Sequence, residues 1–266
     1  MSVWTNRRRT GKVSVQNKNF KRRWERRIGK IALDPNNPYN PFGSSSRSLL
    51  FDGNDKVTMT LVDNAALSIF AAVKPTSFPT AGNSQTVFAH NDGCCLELVN
   101  EGGNKTIQIN RPGVQRLYGS ADTMVENAWQ LIGWAGLTAL GTSAAVSALF
   151  RNGVELAETS SGSDNLASST DGCFGNRNAG TPGLIGNAAW LAIWNGDQLT
   201  AAEALELYNG GTLRDPRTNV GDYTSAANLS YFWKVDDGVA TITDLVGSVV
   251  GTITGAVWSP DGPNTL

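Results

Sequence analysis

From residue 47 onward the chain is written in short apolar runs that glycine and asparagine keep interrupting. The runs in "SLLFDGNDKVTMTL", "LSIFAAVKP", "TVFAH", "CLELV" and "KTIQINR" are too short for helices and read as strands. Asp-Gly-Asn-Asp at 52–55 separates the first two as a turn. "AWQLIGWAGL" and "NAAWLAIWNG" are long and apolar, as central strands are, and a period of two puts Trp190 and Trp194 on one face. In "SALFRNGVELAETSS", Asn152-Gly153 sits between two alternating runs, which predicts a two-residue hairpin. One helix is expected, in "LTAAEALELYNGG". Thr200 is its N-cap, Glu203 completes a capping box, Leu199 packs back as a staple, Leu205 and Tyr208 face the core, and Gly210 or Gly211 ends it. Many short strands with a single small helix predict an all-β antiparallel sandwich.

The first 43 residues differ in kind. Residues 1–30 hold 11 of the 22 basic residues and one acid, a charge of +10, while the remainder holds 11 basic against 22 acidic residues, or −11. The segment "NKNFKRRWERRIGK" (17–30) predicts a helix on which Phe20, Trp24 and Ile28 form one apolar stripe among Arg22, Arg23, Arg26 and Arg27. "VSVQ" at 13–16 alternates like a strand. Residues 34–43 place Pro35, Pro38 and Pro41 at a period of three, an extended polyproline strap that Tyr39 and Phe42 would anchor. Two units are therefore expected: a basic arm and strap over 1–43, and a β-sandwich over 44–266 that includes C-terminal strands in 228–263.

No apolar run of signal-peptide type follows the basic start, and no stretch approaches the roughly 18 apolar residues of a spanning helix. Three cysteines, two of them adjacent (Cys94 and Cys95), give no disulfide framework and fit best as small residues near a strand start in a reducing compartment.

The motifs "SLLFDGNDKVTM", "LSIFAAVKP", "ENAWQLIGWAG", "SALFRNGVELAETSSG" and "AAWLAIWNGDQLTAAEALELYNGG" follow one another as in a laminin G-like domain, which residues 47–211 resemble nearly throughout. The resemblance implies the jelly-roll sandwich of the concanavalin A-like superfamily. "NLSYFWKVDDGVATITDLVGSVVGTITGAVWSPDGP" (228–263) is similar to a segment that accompanies such domains in virion proteins of tailed bacteriophages. Nothing in residues 1–43 matches a family motif.

The Glu-x-Asp-x-x-Glu pattern by which glucanases of this superfamily flank a glycosidic bond with two carboxylates is absent. Asp236 and Asp237 are adjacent and would point to opposite faces; Glu203 and Glu206 are explained by capping and solvation; His90, the one histidine, has no activated nucleophile near it in sequence. No enzymatic activity and no cofactor are expected. Asp52, Asn54, Asp55, Asp236 and Asp237 offer oxygen ligands that calcium accepts, although Asp and Asn are also ordinary turn formers. Trp129, Trp134, Trp190 and Trp194 are expected in the core.

These readings converge on a structural protein of a virion that decorates or cements a shell through its arm. Trp4, Arg7, Arg8, Arg9, Phe20, Arg22, Arg23, Trp24, Arg26, Arg27, Ile28, Tyr39 and Phe42 would contact a major capsid or other virion protein, or further copies of the chain. Folding of the arm onto its own sandwich and contact with nucleic-acid phosphates are the competing uses of the same charges. A membrane is not an expected partner, since three large apolar residues bury little area. The alternative function is a lectin-like module binding a surface glycan at the sandwich.

Overall fold

The computed structural model describes residues 47–61, 66–90, 94–111, 115–119, 123–137, 147–161, 171–177, 182–235 and 239–265. The arm, the strap, every contact residue expected in them, and Asp236 and Asp237 lie outside these ranges.

Two antiparallel sheets pack face to face. The first contains β1 (Ser48–Asp52), β3 (Ala66–Pro75), β8 (Gln130–Leu137), β9 (Ala148–Arg151), β10 (Val154–Glu155), β13 (Ile185–Asn195), β15 (Leu229–Lys234) and β18 (Val257–Ser259). Its order is β10-β9-β8-β3-β13-β1-β18, with β15 also paired to β13. The second contains β2 (Lys56–Thr60), β4 (Ser84–His90), β5 (Cys94–Glu101), β6 (Asn104–Arg111), β7 (Gln115–Gly119), β11 (Glu158–Ser161), β12 (Asp171–Phe174), β16 (Thr241–Thr243) and β17 (Val250–Thr254). Its order is β11-β7-β6-β5-β4-β12-β2-β17-β16. A short parallel pair, β14 (Thr212–Leu213) with β19 (Asn264–Thr265), lies apart from both.

The first sheet is apolar on both faces, which is why its strands read as unbroken hydrophobic runs. On β13, Ala188, Leu191 and Ile193 enter the core between the sheets, whereas Trp190, Ala192 and Trp194 enter a second cluster on the opposite face. A bulge between Ala188 and Trp190 shifts the register on the way. β3 divides in the same manner, with Ile69 and Val73 inward and Phe70 and Ala72 outward. Helix α1 (Ala201–Tyr208) covers that outer cluster with Ala204 and Leu207. Edge-on aromatic contacts knit it: Phe70 to Trp194 at 5.9 Å and Trp190 to Phe232 at 5.3 Å between centroids. Trp134, Trp190 and Trp194 are buried as expected, but Trp129 is only partly buried and donates its Nε1 hydrogen to Asp261 Oδ1 at 3.0 Å.

Thr200 caps α1, and both halves of the capping box form. Two expectations for this helix fail. Leu205 is 54% exposed, because the buried stripe runs through Glu203, Ala204 and Leu207 and leaves position 205 on the far side. The helix ends at Asn209 in the left-handed region (φ 44°) rather than at glycine, with the Asn209 side chain donating to Thr212 O.

The Asn152-Gly153 hairpin forms as predicted, both residues having positive φ (52° and 76°) as a two-residue hairpin turn of this kind requires. Glycine is also needed there for space: a Cβ at 153 would stand 2.5 Å from Leu205 Cα. The Asp52–Asp55 turn, by contrast, joins no hairpin. β1 belongs to the first sheet and β2 to the second, so the turn is a corner where the chain changes layer.

Glu203 does more than cap. Its carboxylate also accepts from Ser225 Oγ at 2.7 Å and from the Thr224 N–H at 3.2 Å, tying α1 to the segment before β15. Burial pushes this carboxyl's pKa up, yet the bonds from Thr200, Ser225 and Thr224 outweigh it and hold the pKa below its usual value. Glu203→Ala is therefore expected to lower unfolding stability by about 2–3 kcal/mol, through the lost cap and the donors left without an acceptor. Urea unfolding measured at neutral pH checks it.

Candidate functional site

Alternation on β5 and β6 builds a polar surface on the second sheet. Leu96, Leu98, Ile107 and Ile109 face the core, so Cys95, Glu97, Thr106, Gln108 and Asn110 face away from it. Cross-strand register aligns Glu97 with Gln108 on one side and with Thr86 of β4 on the other. The next row runs Cys173, Ala89, Cys95 and Asn110 across β12, β4, β5 and β6. Small side chains thus form a floor beside a carboxylate flanked by amides.

The Glu97 carboxylate accepts from Gln108 Nε2 at 2.5 Å, from Asn110 Nδ2 at 3.2 Å and from Thr86 Oγ1 at 3.4 Å. Although this face points away from the core, Thr86, Glu97 and Gln108 are at most 1% exposed, and Asn110 is half-buried. Gln108 Oε1 is buried without a hydrogen-bond partner. Among the described residues its partners are all neutral donors, and a buried carboxyl so placed beside an unpaired carbonyl oxygen is costly. Ala89, Cys95 and Cys173 form a small apolar cluster of their own beside it. Burial raises the Cys173 thiol pKa, Lys56 opposing and Asp171 adding to the effect, so the thiol form dominates at neutral pH.

The residues singled out from the sequence fall elsewhere. In the corner turn, Asp55 Oδ2 accepts from the Asp52 N–H and Asp52 Oδ1 accepts from the Asn54 N–H, each at 2.9 Å, so both carboxylates hold the turn itself. Burial raises the Asp55 pKa. Among the described residues, no group of three or more His, Cys, Asp or Glu side chains is arranged to hold a metal ion. His90 is buried at the end of β4 and stacks on Phe88. Glu206 lies 2.7 Å from Arg214 Nε. Neither brings a nucleophile or a second acid to a shared point. The Glu97 cluster was absent from the sequence candidates, yet "CLELV" and "KTIQINR" carry its signal: a carboxylate and an amide each set between two apolar residues of an alternating strand.

No family model matches the sequence, and no curated protein matches it either. Solved structures do. A candidate carbohydrate-binding protein from Bacteroides ovatus aligns with a TM-score of 0.62 at 15% identity, over 82% of this chain. The chain spans 61% of the length of that protein. The heptameric SAP-like pentraxin of Limulus polyphemus aligns with a TM-score of 0.50 at 13% identity, over 79% of this chain and 96% of its own. Domains LG4–5 of the mouse laminin alpha1 chain also match, at 14% identity and a TM-score of 0.40, over 59% of this chain and 43% of theirs. The first two alignments show the fold, a jelly-roll-like β-sandwich, as the sequence resemblance implies. The phage context that the sequence resemblance also implies has no counterpart in these similarities.

Outside the polar face, Glu158 joins the two sheets at their edge, accepting the Leu149 N–H across the gap from β11 to β9. Burial raises its pKa from 4.5 to about 7, the Leu149 N–H opposing and nearby Glu155 adding to the rise. A carboxyl whose folded pKa is raised stabilises the fold below its unfolded pKa and loses that contribution as pH rises through the folded value. Stability should therefore fall between pH 4.5 and about 7 from this group. Glu158→Gln is expected to flatten that limb and raise the melting temperature above pH 7, read from thermal melts across pH 5–8.

Proposed function

We propose that this chain is a non-catalytic recognition module that binds a glycan on the polar face of its second sheet. The observation that carries the reading is the fold likeness to a candidate carbohydrate-binding protein, at a TM-score of 0.62; the Glu97–Gln108–Asn110–Thr86 cluster, buried except for Asn110, is the polar group nearest to such a role on this face. Carboxylates and amides held rigidly on strands suit hydroxyl-rich ligands, because each offers lone pairs or N–H groups in fixed directions. The fold likeness to a candidate carbohydrate-binding protein supports the same class of ligand. Among the described residues Glu97 bonds to a hydroxyl and two amides rather than to a second acid, which favours binding over bond cleavage.

A glycan array probed with the full chain tests this. Binding to at least one saccharide, reduced tenfold or more in Glu97→Gln with the melting temperature kept, is the expected outcome. A folded chain that binds no saccharide defeats the reading.

A second reading rests on the division of charge, +10 over residues 1–30 against −11 over the rest. In it the sandwich decorates a virion shell, and the basic arm with Phe20, Trp24 and Ile28 supplies the attachment. Removing residues 1–43 is then expected to abolish sedimentation with the particle while leaving saccharide binding unchanged, as measured by particle co-sedimentation and the same array.

A further inference from the structure

Resting on the glycan reading, we infer that the saccharide lies on the exposed part of the second sheet's outer face, over β16, β17 and β2, and that it is a neutral, unbranched polysaccharide of the extended, β(1→4)-linked type. Alternation builds this surface. Val57, Met59 and Ile242 enter the core between the sheets and Ile253 packs against it, so Thr58, Thr60, Thr241, Thr243, Thr252 and Thr254 face outward. Register then aligns them. Thr241 stands opposite Thr252, and Thr252 opposite Thr58, while Thr243 pairs with Val250 and Thr254 with Lys56. The same row continues through Cys173, Ala89 and Cys95, where it is buried. At β2 it opens: Thr60, Thr243, Thr252 and Thr254 are exposed, and Thr58 and Thr241 half-buried.

Other threonines of the sandwich spend their hydroxyls internally: Thr86 on Glu97, Thr106 on Thr123, and Thr200 and Thr224 on Glu203. Among the described residues, the hydroxyls of this face enter no such bond. Each can donate and accept in a direction that a stiff side chain on a strand holds fixed, and each brings a methyl group to pack on the C–H face of a sugar ring. Charge points to a neutral ligand. Lys56 is the one ionisable side chain among the outward positions of these three strands. A polyanion would meet the field of a body that carries −11 over residues 31–266, whereas a neutral sugar meets no repulsion. Spacing points to the linkage. Neighbouring strands stand about 4.8 Å apart, close to the length that one ring adds to an extended β(1→4)-linked chain. Laid across the strands along Thr241, Thr252 and Thr58, such a chain sets one ring over each threonine. An α(1→4)-linked chain coils and leaves the row after a ring or two.

Isothermal titration of the full chain tests this, using soluble oligomers of equal length from β(1→4)-glucan, α(1→4)-glucan and polygalacturonate as probes. The β-linked oligomer is expected to bind about tenfold more tightly than the other two, or better. Thr58→Val and Thr252→Val remove hydroxyls at nearly constant shape and keep a residue that suits a strand. Combined, they should weaken β-glucan binding by about tenfold or more, with the melting temperature kept. Full affinity in that double variant overturns the placement and leaves the glycan reading standing. So does a loss of affinity that Glu97→Gln shows and the threonine variants do not. Equal or tighter binding of the α-linked or the acidic oligomer overturns the extended neutral chain, again without touching the glycan reading. If none of the three binds and the wider array is also silent, the glycan reading falls with it.

Discussion

Burial of both faces of β13 is the constraint on which the rest of the structure depends. An eleven-residue strand that sends Leu191 and Ile193 one way and Trp190 and Trp194 the other needs a cover on each side. The second sheet provides one cover. The other is α1, together with Tyr223, whose hydroxyl accepts from Trp194 Nε1 at 3.0 Å and donates to Pro216 O at 2.6 Å. That placement explains why Glu203 is spent on capping and on Ser225: the helix has to be held against tryptophans, each worth about 1.5–3 kcal/mol of burial or more. Its carboxylate therefore serves the architecture, and chemistry has to be sought on the other sheet.

There the balance is different. The second sheet turns one face to the core between the sheets, and its strands alternate so that the other face carries Thr86, Glu97 and Gln108, themselves buried. Setting Glu97 into a dry position on that face opposes stability, since its neutral neighbours offset only part of the desolvation of a carboxylate. Asn100 Oδ1 and Trp134 Nε1 are likewise buried without a partner, so the Glu97–Gln108 pair is one of several such places among the described residues.

Much of this was legible from residue patterns. The apolar runs of β3, β8 and β13, the Asn152-Gly153 hairpin and the Thr200–Glu203 capping box are local features, and local chemistry decides them. Layer membership was not legible. "SLLFDGNDKVTMTL" reads as two runs around a turn, and nothing in it says that the runs part into different sheets. Which side of α1 is buried was misjudged at Leu205 because an eight-residue helix offers barely two turns of periodicity, and the hairpin beside it settles the matter. The Glu97 cluster escaped because its members lie on three strands, from Thr86 to Asn110, and only register brings them together. The arm's expected contacts lie outside the described residues.

The corner at Asp52–Asp55 has a partner directly beside it, at Gly255–Ala256. β17 and β18 likewise follow one another closely in sequence yet lie in opposite layers, β17 against β2 and β18 against β1. Two clasps separated by about two hundred residues thus close on each other, Leu49 opposite Trp258 and Val57 opposite Ile253. Until residues 250–259 have left the ribosome, β1 and β2 each lack the neighbour that completes one side. For most of synthesis the nascent sandwich carries two unsealed seams, open to proteases, chaperones and the strands of other unfinished chains.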